Sequence, residues 1–410
     1  MRSAPRRDRR ALAAVAVTVV LAACGSPAAH EAVAKPPPIS TTTAPTSTTS
    51  AITTTTTSLP PGQAWVTAAR LISARFGIAA IIDRFGSRPQ LLASNDMLRW
   101  RDVTPRGMTG VVEDLFALDT GHWWATTSAC AAGSGSETVW QTVDGGVTWS
   151  SVTAGGHPCA AGSATLVRFI DASHGWLVNL MPTGPAADLW ATADGGRTWA
   201  KRDERLPELG TVAFRTPEDG YLGDAGLPGT CGTKLYATHD GGATWSEVNV
   251  DLSVVPVSYE ALYGTPTFSD AEHGVLPLSI SKANTEMLAW YVTGDGGSTW
   301  TLRSGPLVAG IIQDQNSGGC LQPALTSVAS PTVWWAAGQY RQDWVTHITS
   351  DGGRTWADHT ATPAWPHPTQ IQAVDDRNEW LEAGNGALLA TNDGGDSADL
   401  LNPHVTASGP

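Results

Sequence analysis

Short apolar runs, each closed by a polar turn carrying glycine, organise the chain from about residue 64 to residue 400. The turn has a signature. Asp-Gly-Gly-x-Thr-Trp recurs at 144–149, 194–199, 240–245, 295–300 and 351–356. Asp393-Gly394-Gly395 is a copy without the Thr and Trp, and Asn95-Asp96 with Trp100 is a copy one residue short. The aspartates at 96, 144, 194, 240, 295, 351 and 393 are therefore 42 to 56 residues apart, which marks one supersecondary unit repeated seven times. The run ahead of a turn, such as Leu235-Tyr236-Ala237-Thr238, has strand character, and the Trp opens the next strand. With a glycine pair that permits positive φ between them, each copy predicts a β-hairpin.

A second pattern lies between the turns. Phe169-Ile170-Asp171-Ala172-Ser173-His174-Gly175-Trp176 aligns with the segments Phe214 to Tyr221 and Phe268 to Val275, and the same register fits 117–124, 328–335 and 373–380. The separation is seven residues each time, so this turn has a fixed length. Each unit then reads strand A, tight turn, strand B, loop, strand C, Asp-Gly-Gly turn, strand D. The expectation is an all-β chain, a seven-bladed β-propeller of four-stranded blades. Most of the 18 Trp fall into this register: six close the Asp turns (100, 149, 199, 245, 300, 356), four lie on strand B (124, 176, 335, 380), and Trp140 and Trp190 precede the Asp by four residues. These are expected to pack between blades. His174 and His273 are turn residues in the same register, and the aspartates lack the dense oxygen spacing of a calcium loop, so no metal and no cofactor is expected.

Thr142-Val143-Asp144-Gly145-Gly146-Val147-Thr148-Trp149 resembles the Asp box of the sialidase-type β-propellers at every position. Combined with the Phe-x-Asp-x-x-His-Gly-Trp pattern, it resembles the photosystem II stability/assembly-factor-like propellers, over roughly residues 64–400. The resemblance implies that the box is structural and lies away from a working site. Asp96, Asp144, Asp194, Asp240, Asp295, Asp351 and Asp393, with Trp149, Trp199, Trp245, Trp300 and Trp356, are then scaffold residues. Phe214-Arg215-Thr216-Pro217 looks like the Phe-Arg-x-Pro motif of sialidases, but Phe214 holds the register of Phe169 and Phe268, in the middle of the array.

Alternation of strands puts the A–B and C–D turns on one face and the B–C and D–A loops on the other. The first face has constant spacing. On the second, the distance from a box Trp to the next strand-A marker runs from 15 to 28 residues, longest at Trp245 to Phe268 and Trp300 to Val328. Function on a repeat scaffold tends to sit on such loops. Cys130, Cys159, Cys231 and Cys320 all map to this loop face, where pairings 130–159 and 231–320 are the expected disulfides among three possible connectivities. Tyr259, Glu260, Tyr263 and Tyr340 lie outside the box and strand registers, and they are the loop-face candidates for a nucleophile or a binding contact.

The N-terminus carries different information. Met1 to Arg10 is basic, Ala11 to Ala22 is an apolar run too short to span a bilayer as a helix, and Leu21-Ala22-Ala23-Cys24-Gly25-Ser26 resembles the lipobox of bacterial lipoproteins. That resemblance implies a signal peptide over 1–23, cleavage before Cys24 and acylation of Cys24 at the cell membrane, on its extracytoplasmic side. Residues 24–62 are rich in Thr, Pro and Ser, with five consecutive Thr at 53–57; they have too little apolar content to fold and read as a linker. The propeller is assigned to 63–402 and a tail to 403–410. Gln63-Ala64-Trp65-Val66-Thr67 resembles a Trp-led strand D, which the seventh box lacks, so residues 63–68 are expected to form the outer strand of blade seven with Trp65 in the box-Trp pocket; a weak strand D at 398–402 is the rival.

Charge narrows the function. The net charge is -13, which excludes a general nucleic-acid binder, since displacing counterions needs a basic surface. The first 23 residues hold five Arg and one Asp, leaving 20 basic against 37 acidic side chains in the exported part. The sequence is read as a monomeric, membrane-tethered scaffold binding an exported protein or a cell-wall glycan on its loop face. The alternative is an extracellular glycoside hydrolase, sialidase-like or polysaccharide-cleaving, which requires a suitably spaced catalytic pair.

Overall fold

Seven antiparallel sheets follow one another along the chain, and six of them are simple meanders of four strands. In the computed structural model the described residues are 65–404, apart from 83–87, 129–136, 154–163, 181–186, 224–232, 257, 283–284, 311–324, 341–342 and 361–367. All fall within the second of the chain's two compact units, Thr54–Pro410. Blade one is β1 (Trp65–Ser73), β2 (Phe76–Ile82), β3 (Pro89–Ser94) and β4 (Arg101–Asp102). Blade two is β5 (Val111–Ala117), β6 (Trp123–Ser128), β7 (Glu137–Thr142) and β8 (Ser150–Thr153). Blade three is β9 (Ala164–Phe169), β10 (Gly175–Leu180), β11 (Ala187–Thr192) and β12 (Ala200–Asp203). Blade four is β13 (Thr211–Phe214), β14 (Gly220–Gly223), β15 (Tyr236–Thr238) and β16 (Ser246–Glu247). Blade five is β17 (Glu260–Tyr263), β18 (Thr267–Phe268), β19 (Gly274–Lys282), β20 (Thr285–Thr293) and β21 (Thr301–Gly310). Blade six is β22 (Leu325–Val328), β23 (Trp334–Tyr340), β24 (Asp343–Thr349) and β25 (Ala357–Thr360). Blade seven is β26 (Pro368–Ala373), β27 (Glu379–Ala383), β28 (Leu388–Thr391) and β29 (Asp399–Leu401). Blade five has a fifth segment because β17 and β18, which both pair with β19, are the two halves of one interrupted inner strand.

The Asp turn works by hydrogen bonding. Thr142 Oγ1 donates to Asp144 Oδ1 and accepts from Gly146 N at 2.9 Å, while Asp144 Oδ1 and Oδ2 take the backbone N–H and the hydroxyl of Thr148. The same set recurs at Asp194, Asp240, Asp295 and Asp351. Such a tight loop needs two residues at positive φ, and the Gly pair supplies them, as at Gly145 (68°) and Gly146 (84°). In the short first copy Met97 takes the left-handed conformation at φ 63°. In the seventh copy Ser397 does the work of the missing Thr, donating to Asp393 Oδ2 at 2.5 Å.

Aromatic stacking joins blade to blade. Trp124 of blade two lies on Phe169 of blade three at 3.7 Å, Trp176 on Phe214 at 3.6 Å, and Tyr221 on Phe268 at 5.4 Å. Box residues Trp199, Trp245 and Trp300 meet the same phenyl rings edge-on. The strand-B tryptophans 124, 176, 335 and 380 are buried, as are Trp100 and Trp300; the box residues Trp149, Trp199, Trp245 and Trp356 are only half-buried. Strands A and B also trade volume across their pairing. Phe169, Phe214 and Phe268 face Gly175, Gly220 and Gly274, whereas Ala117 and Val328 face Trp123 and Trp334. A Cβ on Gly175 would sit 2.5 Å from the Phe169 ring, so the large residue is allowed on one strand or the other.

Ring closure differs from the sequence expectation. Residues 65–73 form the first strand of blade one, paired with β2, and β29 is the outer strand of blade seven, paired with β28. Trp65 does not enter a box-Trp pocket; it is 46% exposed, with its ring over Gly386. Closure is made by two side chains and one backbone carbonyl of blade seven, which accept from N–H groups of β1. Glu382 Oε1 accepts from Ala69 N at 2.9 Å, Gln372 Oε1 accepts from Leu71 N at 2.7 Å, and Gly386 O accepts from Val66 N at 3.0 Å. Trp380 packs beside Trp100, 6.1 Å between centroids.

Candidate functional site

The loop face is best defined around blades four and five. The connection from β16 to β17 is a folded loop, with Val255 N donating to Leu252 O and the Tyr291 hydroxyl donating to Asp251 O at 2.6 Å. Ser258 stands at φ 87°, an unusual conformation for a non-glycine residue, directly before the half-buried Tyr259. Glu260 opens β17 and is exposed to solvent. Tyr263 is not on this surface. It lies in the core of blade five, where it is 5% exposed and where burial, reinforced by Tyr291, pushes its phenol up to about 12. Such a group is unfit to act as a nucleophile. The side chain of Tyr340 and the four cysteines at 130, 159, 231 and 320 lie outside the described residues.

A second constellation, which repeat analysis alone does not reveal, links the first strands of blades one, two and three with β27 of blade seven. Asp114 on β5 is buried and takes four donors: Arg70 Nη2 (2.8 Å) and Leu115 N on Oδ1, Val167 N and Arg168 Nη1 (2.6 Å) on Oδ2. Beside it, Glu113 Oε2 accepts from Thr165 N at 2.9 Å. On the other side of Arg70 lies Glu382. Desolvation raises the carboxyl groups of both Glu113 and Glu382 to about 7, against the opposing pull of Ser128 and the Thr165 N–H on the first and of Arg70 on the second. Register shifts at Val112/Asp114, Val66/Ala68 and Pro368/Gln370 place bulges in the inner strands of blades two, one and seven. A bulge re-aims side chains, and two of the three bulged strands, β5 and β1, carry Glu113, Asp114 and Arg70. The available sequence signal is Glu113-Asp114 interrupting the apolar run Val111 to Phe116.

On the opposite face the box carboxylates are engaged within their own turns. The Thr148 hydroxyl and backbone N–H hold the Asp144 carboxyl at about 2, and Asp194, Asp240 and Asp295 are held at about 2 in the same way by Thr198, Thr244 and Thr299. His122, His174 and His273 set Nδ1 2.9 to 3.0 Å from the carboxylates of Asp119, Asp171 and Asp270. In blade seven Asn378 makes the same contact to Asp375, so the histidines cap turns. Among the described residues no group of three or more His, Cys, Asp or Glu is placed to hold a metal ion.

This architecture is that of a seven-bladed β-propeller built on Asp-Gly-Gly turns. Residues 160–339 match the family model of the photosynthesis system II assembly factor YCF48. The structure of YCF48 bound to D1 peptide is 15% identical, with 81% of this chain and 94% of that chain covered and a TM-score of 0.50. An uncharacterised protein of Listeria monocytogenes EGD-e is 9% identical over 86% of this chain and 98% of that one, with a TM-score of 0.52. A polysaccharide lyase, ulvan lyase bound to a GlcA–Rha3S glycan, is 10% identical over 82% and 97%, with a TM-score of 0.45. At these identities the likeness is one of fold. No curated protein matches the chain.

Proposed function

We propose that the protein is a membrane-tethered, extracytoplasmic scaffold whose loop face holds a partner protein. The observation that carries this reading is the contrast between the two faces. On the turn face, spacing is constant and the box carboxylates are engaged inside their own turns. On the loop face, the distance from a box Trp to the next strand-A marker varies from 15 to 28 residues, and such variable segments carried on a rigid scaffold are where function tends to sit. The similarity in fold to a propeller whose structure was solved with a bound peptide supports a protein as the partner; the photosynthetic setting of that relative is not carried over. Anchoring rests on Cys24 within Leu21-Ala22-Ala23-Cys24, where two or three acyl chains give stable membrane attachment, and the Thr-rich linker supplies reach.

A photo-crosslinking side chain placed at Glu260 on the loop face, compared with one at Val147 on the turn face, tests the reading in intact cells. One discrete protein adduct from position 260 and none from 147 is the expected result. Adducts from 147 alone would reverse the assignment of faces, and turnover of fluorogenic glycosides by the purified chain would replace the scaffold with a hydrolase. Cys24→Ser is expected to move the chain to the soluble fraction or leave it unprocessed; unchanged membrane partition would remove the anchor from the account.

A further inference from the structure

Blade seven differs from its neighbours on both faces. At the junction of blades five and six, Trp290, Trp334 and Trp356 form a cluster with centroids 5.3 to 6.4 Å apart. The repeat places Thr346, Glu379 and Ala398 at the corresponding positions between blades six and seven: Thr346 and Trp290 each stand five residues before a box Asp, Glu379 and Trp334 each open strand B, and Ala398 and Trp356 each follow the box. Glu379 is 0% exposed, and among the described residues neither of its carboxylate oxygens, nor the buried Thr346 hydroxyl, has a hydrogen-bond partner. Gly395 of the seventh box adjoins Thr346, and Ala373 pairs with Glu379 from β26. The charged groups at the rim of this junction are the half-buried His359 paired with the exposed Asp396, and Asp376, which accepts from the Ser350 hydroxyl.

The other face of β27 meets blade one. Three residues along the strand and therefore on the opposite side, Glu382 accepts from Ala69 N, with Arg70 as its cation and Asp114 beyond it. Gln372 and the Gly386 carbonyl complete that junction. A carboxyl group thus stands in each of the two interfaces that hold the last blade in the ring, Glu379 buried and Glu382 half-buried. The neutral carboxyl is favoured at both, because burial penalises the charge: Glu379 has no cation among the described residues to offset it, and at Glu382 Arg70 offsets it only in part.

We propose that blade seven is a proton-operated seam: with Glu379 and Glu382 protonated it stays docked on blades six and one, and their ionisation releases it and opens the ring. The direction follows from the shifts. Both groups are raised by desolvation, Glu382 to about 7 and Glu379 well above its ordinary value of 4.5, so their contribution is full below 4.5 and is lost as pH rises through the folded-state value. Glu113 is raised as well, but its junction keeps the Asp114–Arg168 pair and the Trp124–Phe169 stack.

Hydrogen exchange of the full chain in detergent, with rates corrected for the intrinsic effect of pH, tests the seam. Between pH 5 and pH 8 the protection of amides in β26 to β29 is expected to fall roughly tenfold or more, with β9 to β12 unchanged. In E379Q/E382Q, which keeps an acceptor for Ala69 N, the pH response of blade seven is expected to vanish. An equal loss of protection in all blades, or a response that survives in the double variant and so belongs to His359–Asp396, would overturn the proposal. Should the double variant fail to fold, E379Q alone must shrink the response, and an undiminished one counts equally against it.

Discussion

Asp114 binds three blades through one side chain. Its two oxygens take Arg70 from blade one, Leu115 N from its own strand, and Val167 N and Arg168 from blade three. Removing one charge from such a buried arrangement leaves the others uncompensated, a loss of about 3–5 kcal/mol. Asp114→Asn should therefore lower the urea midpoint substantially, while a stability close to the parent's would show that the network is ornamental. The sequence disclosed the box aspartates because they repeat, and their hydrogen bonds match the roles read from the motif. Asp114, Glu113 and Glu382 escaped for the converse reason. Each belongs to one blade, and a pattern found by aligning blades averages away what is unique to one of them. Tyr263 was misplaced for a related reason: lying outside the repeat registers is not the same as lying on the surface, and at Leu262 and Tyr263 both sides of β17 are covered.

At the level of elements, the seven-residue spacing between strands A and B was legible because the turn has one length. The volume rule across it was not, since it joins residues six apart that change together: Phe169 with Gly175, but Ala117 with Trp123. This yields a double-mutant test. Gly175→Trp alone collides with the Phe169 ring, and overpacking of this kind costs about 1–3 kcal/mol or more. Adding Phe169→Ala should restore most of the stability by rebuilding blade two's arrangement in blade three. Additive losses, measured by chemical denaturation, would mean that the pairs do not compensate. The error in ring closure has a physical origin as well. Blade one lacks the Phe-x-Asp-x-x-His-Gly marker, so its inner strand looked like an orphan, and the seventh box lacks a Trp although Ser397 preserves its hydrogen bonds.

For the whole molecule, two sets of carboxyl groups pull stability in opposite directions with pH. The box aspartates, held at about 2 against an ordinary 3.8, contribute above 3.8 and lose that contribution as pH falls toward 2. Glu113 and Glu382, raised from 4.5 to about 7, contribute below 4.5 and lose theirs as pH rises toward 7. The denaturation midpoint should thus peak at acidic pH, between these windows, and a profile still climbing from 5 to 8 would contradict the assignment of the two half-buried glutamates. The larger claim is a division of labour, in which the turn face maintains the fold and the loop face holds the partner. The most direct measurement pairs melting temperature with affinity for the crosslinked partner in two variants, Glu260→Lys on the loop face and Asp240→Ala in a box. The account predicts that Glu260→Lys loses affinity at an unchanged melting temperature, and that Asp240→Ala melts earlier yet binds normally while folded. Normal binding by Glu260→Lys together with binding lost in folded Asp240→Ala would contradict it.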